Sequence, residues 1–145
     1  MKKWLWLLLG LSPFLYGFLM LLGVYYVFPA GTLTLTMPLC GLLFFVIWGI
    51  QANLCKKTLG KTNKAIILMH IPAGAVLLIL LVEDVILKTY WTGALATVLH
   101  CFFFPAAPIM MFIGLGSSSF ITYCITALMM VCCAYMGCNM IRKKV

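Results

Sequence analysis

Five apolar runs, separated by only short polar breaks, leave this chain few ways to fold. Each is about as long as the ~20 residues that a helix needs to cross a hydrocarbon core. The run that carries the most chemistry extends from Lys64 to Lys88, KAIILMHIPAGAVLLILLVEDVILK. It holds the only two acidic residues, Glu83 and Asp84, and one of the two histidines, His70. Lipid offers backbone groups no hydrogen bonds, so a run of this kind satisfies them internally as a helix.

Composition supports the same solvent. Hydrophobic residues make up 66% of the 145-residue chain and charged residues 8%, whereas a soluble domain is nearer ~45–50% apolar and ~25% charged. The expected fold is an all-α, polytopic transmembrane helix bundle of about five spans. It forms one integral membrane domain over residues 1–145, with no soluble domain.

The runs fall in order along the chain. The first reads from Trp4 to Phe28, after Lys2 and Lys3. It exceeds the ~7–15 residue apolar core of a signal peptide, and Trp4, Trp6, Tyr25 and Tyr26 mark both interfaces. Pro13 bends it, with Ser12 placed to satisfy the freed carbonyl. Pro29, Ala30 and Gly31 make a turn. The second run covers Leu33 to about Leu54. Lys56, Lys57, Lys61 and Lys64 follow, broken at Gly60, with Thr62 or Asn63 as a helix cap. The third run is Lys64 to Leu87, the fourth Tyr90 to about Gly114, and the fifth Phe120 to Ile141, ahead of Arg142, Lys143 and Lys144.

The positive-inside rule puts the amino terminus and the 56–64 loop in the cytoplasm, the bilayer being the plasma membrane. Five full spans then carry Arg142, Lys143 and Lys144 outside, against the rule. The alternative is four spans plus a re-entrant hairpin at 91–116, turning at Pro105-Ala106-Ala107-Pro108. A small bundle has little protein with which to shield such a hairpin, so five full spans and an external carboxyl terminus are expected.

Intramembrane ionisable groups are default candidates for function. On a helix, His70, Gly74, Leu77, Leu81 and Asp84 share one face, with Glu83 ~100° away. This stripe places titratable groups ~21 Å apart. A transport pathway through Asp84, His70, Glu83 and His100 follows, with Asp84 weighted above Glu83 because Gly74 permits close helix approach. Against it stands an interfacial role, both carboxylates reaching the outer surface beside Lys88. His100 lies among Gly93, Ala96, Thr97, Phe104 and Ala107, a face suited to close packing. His70 and His100 on neighbouring spans also suggest a bis-imidazole haem site. Met129, Cys133, Met136 and Met140 repeat at helical spacing; thiolate and thioether ligands select soft metals, but such residues also serve as adaptable packing.

Seven cysteines form no C-x-x-C and read as small apolar fillers. No zinc, phosphate-loop or nucleophile-elbow motif is present, and the three serines at 117–119 have no nearby base. We expect no enzymatic activity and no cofactor. The net charge of +8 belongs to loops and ends rather than to a basic face, which excludes nucleic acid as a partner. The expected partners are the lipid bilayer and another membrane protein or a second copy. Three functions fit: a small transport or channel-type protein, or the membrane subunit of a larger transporter; a non-transporting interaction protein such as an assembly factor, regulator or immunity-type protein; and a haem-binding electron-transfer subunit.

Overall fold

The computed structural model describes residues 4–26, 36–88, 93–114 and 120–140. The turn at Pro29 to Gly31, the serines at 117–119, Trp91 and the cations at 142–144 lie outside these residues. Every element among the described residues is helical. They are α1 (Leu5–Tyr26), α2 (Thr36–Leu59), α3 (Thr62–Leu81), a π-turn (Val82–Ile86), α4 (Ala94–Phe103), a 3-10 turn (Phe104–Ala106), α5 (Ala107–Phe112) and α6 (Phe120–Met140). Four helices are long and apolar enough to cross a membrane, and 96–112 is a shorter apolar run. The protein is an integral membrane helix bundle, as its apolar runs require.

Local chemistry explains the breaks and bends. Pro13 cannot donate to the Leu9 carbonyl, and Ser12 Oγ donates to that oxygen instead, at 2.7 Å. Gly60 adopts φ +76° between α2 and α3, a left-handed conformation that glycine takes without strain. Its N–H bonds the Lys56 carbonyl at 2.8 Å and closes α2. Neither Thr62 nor Asn63 caps α3: the helix begins at Thr62, and Lys61 precedes it in extended conformation.

Two contacts fix how the helix ends are arranged. Lys56 Nζ donates to the Cys138 carbonyl at 2.7 Å, and Cys138 Sγ lies 3.4 Å from the Ala52 carbonyl oxygen. The late turns of α2 and α6 are therefore neighbours, and the two helices run parallel. At the other end Asp84 Oδ2 accepts from the Phe120 backbone N–H at 2.8 Å. So α6 begins where the third span finishes, and α4 also begins there, six residues after Lys88.

The 94–112 run thus leaves and rejoins one end of the bundle. Of the two arrangements the sequence allows, these contacts follow four crossings with a re-entrant fifth run. The run bends at the 3-10 turn, close to the expected Pro105–Pro108 position. Shielding proves sufficient for two reasons. The backbone stays helical through the bend, with Phe104 N bonded to the His100 carbonyl and Ala107 N to the Phe104 carbonyl. The bend also presses into α1 and α2, burying Phe102, Phe103, Pro105 and Ala106. An added Cβ on Gly17 would strike the Cys101 carbonyl, and one on Gly41 would come within 2.8 Å of the Pro105 carbonyl oxygen.

Trp48, Phe102, Met69, Leu80, Met110 and Met130 are among the fully buried side chains. Lipid tails are as apolar as these residues, so close packing rather than water exclusion holds the helices together.

Candidate functional site

The buried face of α3 runs through Ala65, Met69, Ala73, Val76 and Leu80. Steps of four and three residues carry this face to position 83. Glu83 accordingly turns into the bundle and is 2% exposed. It lies in the π-turn, where Leu87 N bonds back to the Val82 carbonyl at 2.9 Å, one residue further than in an α-helix. Single π-turns inside helices often coincide with functional positions.

His100 on α4 and Tyr123 on α6 meet Glu83 inside. His100 Nε2 is 3.7 Å from Glu83 Oε1, and His100 Nδ1 is 2.8 Å from the Tyr123 hydroxyl. Phe103 stacks against the Tyr123 ring with centroids 5.5 Å apart. The third span, the 94–112 run and α6 each give one polar group to this site. His100 keeps 22% of its side chain exposed, whereas Glu83 is sealed.

The chemistry follows from this placement. Burying an unpaired carboxylate costs several kcal/mol even after relaxation. A facing imidazole gives two forms without net charge: carboxylic acid beside neutral imidazole, or carboxylate beside imidazolium. When Tyr123 donates to Nδ1, the neutral ring carries its proton on Nε2, toward Glu83. In the imidazolium form, Nδ1–H donates to the Tyr123 oxygen instead. The arrangement can therefore hold one proton on either the carboxyl or the imidazole.

The burial expected of the two acids is reversed. Asp84 is exposed and holds the first N–H of α6, where a helix terminus favours negative charge. Gly74, on the stripe expected to face the bundle, is exposed and has no atom within 4 Å of an added Cβ. Asp84 is thus the exposed acid and Glu83 the buried one.

His70 belongs to a different cluster. Its Nδ1 faces the Ile66 carbonyl at 2.8 Å and its Nε2 accepts from the Trp48 indole at 3.4 Å. With His100 engaged by Tyr123, the two imidazoles do not face each other, and the bis-imidazole arrangement has no facing pair. Near His70, Gln51 Nε2 donates to the Tyr16 hydroxyl at 3.3 Å, and Ser12 Oγ lies 2.9 Å from Gln51 Oε1. Phe44 packs on both Tyr16 and Trp48. Two polar clusters thus share one aromatic core.

The sulfur stripe lines an open groove. Cys133, Met136 and Met140 line the α2–α6 groove, and Met136 and Met140 are 52% and 81% exposed. Among the described residues no group of three His, Cys, Asp or Glu is placed to hold a metal ion. Sequence reasoning missed Tyr123, Trp48 and Tyr16 as polar partners, because each also reads as an aromatic packing residue. No family model, no curated protein and no solved structure matches the chain.

Proposed function

We propose that this protein is a small proton-handling transport protein, or the proton-handling membrane subunit of a larger transporter. Glu83 is its titratable centre, and His100 and Tyr123 are its relay. The observation that carries this reading is a carboxyl group 2% exposed and 3.7 Å from an imidazole inside an apolar bundle. A bundle needing only to pack gains nothing from such a group, and intramembrane ionisable residues mark ion and proton paths.

The orientation we favour puts the 56–64 loop in the cytoplasm. Glu83 then lies ~8 Å below the outer end of its span, five residues before Lys88. The re-entrant run supplies His100 from that end and leaves it partly open. The aromatic core below separates this cluster from the Gln51 and His70 cluster, which restricts free leakage. Transport gives Glu83, His100 and Tyr123 a shared role, with His70 and Gln51 outside the relay.

Purified protein in liposomes loaded with a pH-sensitive dye tests the reading. A potential-driven proton flux above that of empty liposomes is expected, falling to background with Glu83→Gln. Equal flux in the variant, or none in the wild type, would count against transport and for a purely partner-binding protein.

A further inference from the structure

A groove of about 690 Å³ runs along the outside of the bundle between α2 and α6. Leu42, Val46 and Ile50 form one wall, Met136 and Met140 the other, and Asn53 closes one end. Its floor exists because two backbones touch: an added Cβ on Gly137 would collide with the Gly49 carbonyl oxygen. The walls are open, with Val46 60% and Ile50 56% exposed.

Length and charge select an occupant. Eleven residues separate Leu42 from Asn53, ~17 Å along a helix. That is close to one leaflet, half of the ~30 Å hydrocarbon core. The next positions on the same face of α2, three and four residues after Asn53, are Lys56 and Lys57. Lys56 reaches across the groove's end to the Cys138 carbonyl at 2.7 Å, and Lys57 is exposed. An apolar slot one leaflet long, ending at two ammonium groups, complements an amphiphile with a negative head.

We propose that the α2–α6 groove binds an anionic phospholipid from the leaflet beside the Lys56–Lys64 loop. One acyl chain lies along Val46 and Met136, and the phosphate meets Lys56 and Lys57. This site is separate from the Glu83 cluster and stands whether or not the protein moves protons.

The test is native mass spectrometry after reconstitution in bilayers of equal phosphatidylglycerol and phosphatidylcholine. Wild-type protein should retain phosphatidylglycerol over phosphatidylcholine by roughly tenfold or more, as expected for two lysines at a headgroup. Lys56→Gln with Lys57→Gln should bring the two lipids to near parity. Val46→Trp, at an exposed position, should fill the slot and reduce both adducts while the helical content stays unchanged. Equal retention of both lipids by the wild type, an undiminished adduct in Val46→Trp, or a lipid-free homodimer would overturn the proposal.

Discussion

Glu83 and His100, seventeen residues apart in sequence, bring a carboxyl oxygen and an imidazole nitrogen to 3.7 Å inside the bundle. Neither helix places them there alone. The π-turn ends the third span with Glu83 on its inner face, and the re-entrant run returns His100 to meet it. Tyr123 holds the far side of the imidazole.

The two neighbouring acids should therefore behave differently. Glu83→Gln should abolish proton flux and leave the fold intact, since an amide replaces the carboxyl at the same volume. Asp84→Asn should leave flux largely unchanged and lower stability by ~0.3–1 kcal/mol, through the lost charge at the α6 terminus. Flux assays and unfolding curves in one detergent separate the two.

Tyr123→Phe removes a hydroxyl 2.8 Å from His100 Nδ1 and keeps the ring stacked on Phe103. Losing a hydrogen bond of this kind costs about 1 kcal/mol. The flux should slow rather than vanish, and His100→Gln should slow it further. A Tyr123→Phe variant as fast as wild type would remove the hydroxyl from the relay.

Close helix approach is local. Gly137→Ala drives a methyl group into the Gly49 carbonyl, and overpacking of this kind costs about 1–3 kcal/mol. Gly74→Ala meets nothing within 4 Å, so its effect should stay within about 0.5 kcal/mol, as for ordinary surface changes. Equal losses in the two variants would contradict the arrangement of α3 and α6.

The re-entrant run makes a topological prediction. A cysteine at Gly60, in a background without accessible cysteines, and a protease-cleavable tag after Val145 should report the same side of the membrane. Reaction from opposite faces would restore five full crossings. The Lys56 contact with Cys138 is the reason for expecting one side.

Much of this was legible in the residues. Run length and the scarcity of charge dictate an all-helical membrane bundle, and Ser12 was correctly matched to the carbonyl freed by Pro13. The face of the third span was misread by one position. Glycine at 74 suggested close packing, but small residues also occur facing lipid, and only the neighbouring helices distinguish the two. Met69, Ala73, Val76 and Leu80 form an equally apolar stripe, so periodicity alone had no contrast from which to choose. Tyr123 was invisible for a similar reason, since its hydroxyl matters only once α6 stands beside α4. The bend at Pro105 is packed against Gly17 and Gly41, contacts distant in sequence.

The central claim is that Glu83 exchanges a proton inside the bundle in concert with His100. Glu83 is the chain's only glutamate, so isotope-labelled glutamate marks one carboxyl group. Infrared difference spectra of the labelled, reconstituted protein across a pH change isolate its carboxylic C=O band. The account predicts a labelled band that changes with pH and shifts in Tyr123→Phe and His100→Gln, because both groups set its environment. A labelled carboxyl that never changes protonation, or one whose spectrum is indifferent to both substitutions, would contradict it.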